Sequence, residues 1–156
     1  MWTLPGYYWL TCGAAEGTTA LNAFDNALLA AGIGDLNLVK VSSVLPRGAR
    51  PLNGLPEVPP GTLMPTVYTA AISENPGEVI SACIGIGFGR EAHGMIFEHS
   101  GPGDPAEVER VVRQMLAEAF ARRGIELERV EVCISSHRVE RLGCALAAVI
   151  LWGGDR

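Results

Sequence analysis

Eleven consecutive residues, Leu142 to Trp152, carry no charge and almost no side-chain hydrogen-bonding capacity beyond the Cys144 thiol and the Trp152 indole. The run is too short to cross a bilayer as a helix and reads as a strand. It does not alternate between apolar and polar residues, so both faces of that strand must be covered. Other stretches predicted as strands are apolar on both faces too. Two packed, mainly antiparallel sheets with a helix outside each would supply the cover, which predicts an α+β, four-layer α/β/β/α sandwich.

The remaining elements fit that plan. Leu4 to Cys12 is rich in aromatics and reads as the first strand. Thr18 or Thr19 can cap a helix running to about Ala31, where Gly32 stops it. Asp35 to Ser43 alternates with period two and reads as a strand. Five prolines and three glycines between Val44 and Gly61 predict a loop, the only linker-like stretch. Strands over Thr62–Ser73 and Glu78–Gly87 follow, joined by the turn Asn75-Pro76-Gly77, and then a strand over Gly94–His99. Asp104 as N-cap, Pro105 in the first turn, Glu107 and a terminal Gly124 mark a second helix, with Val108, Val111, Val112, Met115, Leu116, Ala119 and Phe120 as its apolar stripe. Strands over Glu128–Ser136 and Leu142–Trp152 complete a single domain over residues 1–156. The order strand–helix–strand–strand thus occurs twice, an echo of a β-α-β-β duplication without a visible sequence repeat.

Composition narrows the classes of partner. A net charge of −5 and a pI near 5.2 leave no electrostatic footprint for nucleic acid or an anionic membrane. Only 19% of residues are charged and the mean hydropathy is +0.22, so some apolar surface is expected to be hidden in an oligomer. The apolar start, Met1 to Gly13, lacks the basic segment of a secretion signal, and a cytoplasmic protein is expected. Cys12, Cys83, Cys133 and Cys144 lie far apart, as expected of free thiols in a reducing compartment. His93, His99 and His137 have no ligand spacing, and no metal site is expected.

Four placements resist a packing explanation. Leu21, Phe24, Leu28 and Leu29 define a buried face for the first helix, and Asp25 stands inside that arc. A buried carboxylate needs a partner, either a local backbone amide or arginine, or a cationic ligand. Glu98 shares an apolar strand face with Ile96; half-burial would raise its pKa toward that of a proton donor working near neutrality, while a solvated edge position is the plain alternative. Ser42-Ser43 closes a strand where a loop begins, a junction able to hold a peptide bond under strain, though paired serines are also common surface residues. Asn37 is an amide on an otherwise apolar strand, with a sheet-edge role as the simpler reading.

Five ordered blocks carry a resemblance. They are Leu21 to Gly34, Asn37 to Pro46, Ile72 to Ala82, Gly94 to Glu98, and Glu140 to Ala145, and together they resemble the pyruvoyl-dependent arginine decarboxylases from about Gly13 to Trp152. The resemblance implies self-cleavage between Ser42 and Ser43, giving a β chain of residues 1–42 and an α chain of residues 43–156 whose residue 43 becomes a covalent pyruvoyl group. It implies decarboxylation of L-arginine to agmatine through a Schiff base with that group. Glu98 would reprotonate the substrate α-carbon, Asn37 would assist at the pyruvoyl group, Asp25 would receive the guanidinium, and Ser42 would line the substrate site. Homotrimers of αβ protomers with active sites between subunits are implied as well, with pairing of trimers left open. Three alternatives stand beside this: a pyruvoyl decarboxylase of histidine or aspartate, pyridoxal phosphate chemistry on Lys40, the chain's one lysine, and a non-processing trimeric homologue that only binds arginine-like ligands.

Overall fold

The computed structural model describes residues 3–153, and the apolar C-terminal run lies at its centre. That run forms β9 (Gly143–Trp152), which pairs antiparallel with β1 (Tyr7–Glu16) on one side and with β5 (Leu63–Ser73) on the other. Short β2 (Asn37–Lys40) and β4 (Arg50–Pro51) add parallel to the edges, giving a five-stranded sheet in the order β2-β5-β9-β1-β4. Ala145, Ala147, Val149 and Leu151 face the second sheet, while Cys144, Leu146, Ala148 and Ile150 face the helix α1 (Ala20–Ala30). Both faces of β9 are therefore core, which is why its sequence does not alternate.

The second sheet has the order β3-β7-β6-β8, from β3 (Val44–Leu45), β6 (Val79–Gly89), β7 (Gly94–Pro102) and β8 (Leu127–Arg138). Ile80, Ala82, Ile84 and Ile86 of β6 pack inward against β9 and its neighbours. Its outer face carries α2 (Pro105–Arg123), whose Val108, Val112, Leu116 and Phe120 are buried there. Asp104 caps α2 through the Glu107 N–H, and Gly124 ends it in the left-handed conformation, both as the sequence predicts. The four layers are α1, the five-stranded sheet, the four-stranded sheet and α2. The order strand–helix–strand–strand does recur, yet β7 and β8 lie in one sheet and β9 in the other, so the echo does not extend to the sheet layout.

Three expectations need correction. The strand expected over residues 35–43 is only four residues long, because the chain leaves the first sheet after Val41 and crosses to the second. The expected loop over residues 44–61 contains β3 and β4, which stitch it to both sheets and bury Leu45. Finally, the buried stripe of α1 is Ala23, Ala27 and Leu28, with Leu21 (74% exposed), Asp25 and Leu29 (53%) turned away from the core. The reason is the closeness of α1 to β1. A Cβ on Gly13 would sit 2.6 Å from the Ala31 nitrogen and 2.7 Å from the Ala27 oxygen, so only small side chains fit between helix and strand.

Replacing Gly13 by Val should therefore lower the urea midpoint of unfolding by an amount equivalent to about 2–3 kcal/mol, since backbone rather than a flexible side chain must move. An unchanged midpoint would show that α1 can lift off β1 without cost.

Candidate active site

The crossing from one sheet to the other occurs at Ser42-Ser43. On the upstream side the Val41 N–H donates to the Thr66 carbonyl of β5 at 3.1 Å; on the downstream side the Ser43 carbonyl accepts from the Ile96 N–H of β7 at 2.8 Å. The peptide bond between the serines spans the open edge of the sandwich, with its two flanks pinned to different sheets. A third link nearby joins Thr69 of β5 and Ser100 of β7, hydroxyl to hydroxyl, at 2.7 Å.

Beside this crossing lies a cleft of about 340 Å³ lined by Lys40, Val41, Ser42, Ser43, Val67, Phe97 and Glu98. Glu98 reaches it because β7 directs Ile96, Glu98 and Ser100 to the inter-sheet side. Burial pushes the Glu98 carboxyl above its ordinary value of 4.5, and the positive charge of Lys40 holds back part of that rise. Lys40 itself rests over the Tyr68 ring, 4.7 Å from the centroid, at the end of β2. The walls from Val41, Val67 and Phe97 are apolar, a setting that favours a reaction in which a carboxylate loses its charge.

Ser42, Ser43 and Glu98 are thus brought together; Asp25 and Asn37 are not. Asp25 is exposed on α1 between Leu21 and Leu29, so the helical-wheel argument for its burial fails. The large side chains suggested the wrong face, because the alanines are what the glycine-lined β1 can accept. Asn37 starts β2 at the end opposite the cleft, where its side-chain N–H donates to the Gly61 carbonyl at 2.9 Å. Within one chain, neither touches the cleft.

Nothing in the local sequence marks Glu16, yet it organises the turn before β9. One carboxylate oxygen accepts the Arg141 and Leu142 N–H groups, and the other pairs with His137. Burial opposes its charge, but the backbone N–H of Arg141, His137 and the backbone N–H groups of Glu140 and Leu142 outweigh that and hold the pKa at about 2. Only contacts more than a hundred residues apart in sequence reveal this role. Cys83 and Cys144 are buried, Cys12 and Cys133 half-buried, and all four are free thiols. Among the described residues no group of three or more His, Cys, Asp or Glu is placed to hold a metal ion.

A serine pair strung between two sheets beside a half-buried carboxyl places a hydroxyl nucleophile, a peptide bond held on both flanks and an ionisable group in one cleft, the make-up of an enzyme site rather than of a packing contact. Residues 7–154 match the family model for pyruvoyl-dependent arginine decarboxylase. A pyruvoyl-dependent arginine decarboxylase of Methanocaldococcus jannaschii is 46% identical over 151 residues, covering 96% of this chain and 91% of the relative. Relatives of the same description from Pyrococcus furiosus and Thermococcus kodakarensis are 44% and 42% identical, covering 97% and 96% of this chain and 98% and 96% of their own. The chain belongs to the pyruvoyl-dependent arginine decarboxylase family. The cleft fits the covalent pyruvoyl group this family carries: Ser43 is anchored through its own carbonyl, so removing the bond on its N-terminal side would leave it in place.

Glu98 offers a test independent of turnover. Its raised pKa means that ionising it costs the folded state; the cost is absent below pH 4.5 and grows as pH rises through the folded-state value. In a Ser43→Ala background, Glu98→Gln should gain stability relative to its parent as pH rises from 4 to 8, measured by urea unfolding across that range. A pH-independent difference would mean that Glu98 is an ordinary solvated carboxylate.

Proposed function

We propose that this protein cleaves itself between Ser42 and Ser43 and then decarboxylates L-arginine to agmatine in the cleft beside that bond. The observation that carries this is the anchored crossing, with Val41 and Ser43 tied to opposite sheets and Glu98 lining the same cleft. Ser43 Oγ attacks the Ser42 carbonyl carbon and the Ser43 nitrogen departs, leaving an ester. Loss of the Ser43 α-proton then expels the Ser42 carboxylate, and hydrolysis with release of ammonia leaves the pyruvoyl group on residue 43. Tethers on both flanks keep the reacting atoms together throughout, an advantage of proximity.

The pyruvoyl carbonyl supplies the electron sink that loss of carbon dioxide requires. The chain's own residues do the rest. Val41, Val67 and Phe97 exclude water from the departing carboxylate, and Glu98, held toward its neutral form, delivers a proton to the substrate α-carbon.

Asp25 receives the guanidinium and Asn37 assists at the pyruvoyl group, each reaching the cleft of a neighbouring subunit. The stripe Leu21, Asp25, Leu29 supports this: two large, largely exposed apolar side chains flank an exposed carboxylate on one face of α1. Leu63 (64% exposed) and Ile72 (44%) add apolar surface on β5. A homotrimer with active sites between protomers, able to pair into larger assemblies, would cover such surface. Four free thiols suit the cytoplasm, and no described helix is long and apolar enough to cross a membrane.

Ser43→Ala should abolish both the split, seen on a denaturing gel, and agmatine formation; arginine turnover by the uncut variant would refute the proposal. Glu98→Gln should still split but lose about a hundredfold or more in kcat. Asp25→Ala should raise the KM for arginine about tenfold to a hundredfold while also splitting normally. Co-assembly of the Asp25→Ala and Glu98→Gln chains should restore part of the activity that each lacks alone. No recovery in mixed oligomers would place the two residues in one subunit's site.

A further inference from the structure

We propose that the backbone N–H of Ile96 is a catalytic donor in self-processing, stabilising the negative charge that gathers on the Ser43 carbonyl oxygen when Ser43 loses its α-proton. This rests on the proposed scission at Ser42–Ser43.

The elimination that follows ester formation is the difficult half of processing. The α-proton of residue 43 passes to water, its electron pair forms the Cα–Cβ double bond, the Cβ–Oγ bond breaks, and the Ser42 carboxylate leaves with that oxygen. A Cα–H bond is acidic enough for this only because the adjacent carbonyl takes up the charge. For residue 43 that acceptor is its own carbonyl oxygen, and here it already receives the Ile96 N–H at 2.8 Å. A hydrogen bond to a developing oxyanion is roughly twice as strong as one to a neutral carbonyl, so the contact tightens as the proton leaves.

Three features make Ile96 more than a ladder partner. It is fully buried, so water does not compete for the donor and the local dielectric is low. Its strand is fixed on the far side by β6, with Ile96 opposite Ile86, and on the near side by Val44 opposite Met95, so the donor is aimed before the charge forms. By contrast, the Val41 N–H makes an equivalent backbone bond upstream, to Thr66, yet touches no atom on which charge develops. Comparing the two separates a catalytic donor from a merely structural one.

The test replaces the amide nitrogen of residue 96 by oxygen, using the α-hydroxy acid analogue of isoleucine; this deletes the N–H and keeps the side chain. A second protein carries the same change at Val41. Samples taken through processing are weighed intact and treated with hydroxylamine, which cuts esters but not peptide bonds; in each variant it also cuts the engineered backbone ester, so the intermediate is scored only by the fragment masses of a cut between residues 42 and 43. The variant at 96 should form the hydroxylamine-sensitive ester and convert it to the pyruvoyl fragment about a hundredfold more slowly, so that the ester accumulates. The variant at 41 should show no such accumulation. Conversion at the natural rate in the variant at 96, or equal accumulation in both, would overturn the assignment. Should the variant at 96 not fold, Ser43→Ala protein with a 13C,18O-labelled carbonyl at residue 43 decides. A shielded, red-shifted infrared band unaffected by D2O supports the hydrogen bond, and a band at the hydrated-amide position overturns it. If the natural protein never forms a hydroxylamine-sensitive ester, the scission itself is refuted, separately from the role of Ile96.

Discussion

Two backbone hydrogen bonds, from Val41 to β5 and from Ile96 to Ser43, hold the two flanks of the Ser42–Ser43 crossing to different sheets. Each is worth only about 1 kcal/mol as a contribution to folding. Their importance is positional. They belong to different sheets and enclose two peptide bonds, Val41–Ser42 and Ser42–Ser43, so the serine pair is suspended over the gap at the sandwich edge. The same gap gives Glu98 its half-buried setting and the cleft its apolar walls.

The layers are held at the right spacing by where glycine occurs. Gly13 on β1 lets the alanine stripe of α1 come down onto the strand. Gly85 on β6 does the same for α2, since a Cβ there would meet the Val112 side chain at 2.7 Å. Close helices on both outer faces leave the inter-sheet core to Ile, Val and Leu side chains that interdigitate from both sheets. The consequence for the site is that β5 and β7, which carry its two walls, are each fixed by paired neighbours over most of their length.

Much of this was legible in the residues. The doubly apolar run near the C-terminus required two layers of cover, and the caps of α2 could be read residue by residue. What failed did so for one kind of reason: local pattern cannot report a neighbour that is distant in sequence. The first helix shows large leucines and small alanines on different faces, and only the proximity of Gly13 decides that the alanines are buried. Residues 35–43 alternate like a strand throughout, but Ser42 and Ser43 are drawn away by a partner more than fifty residues later. Glu16 is silent in sequence for the same reason. Ser42, Ser43 and Glu98 stood out only because the resemblance to a family lifted them from a background of ordinary serines and an ordinary edge glutamate. Asn37, on the same segment as the serines, turned out to sit at the far end of its strand.

The interleaving of strands would set the lifetime of a protein cut after Ser42. A segment ending at Ser42 would contain β1 and β2, yet β1 lies between β9 and β4, and β2 borders β5, all three of which come after the cut. Once severed, the two pieces would form a two-component complex whose separation requires breaking open the central sheet. Folding before such a cut would be a one-chain process, whereas reassembly after denaturation would depend on concentration. The mature protein would then persist because its barrier to unravelling is high, and a molecule once denatured would seldom recover.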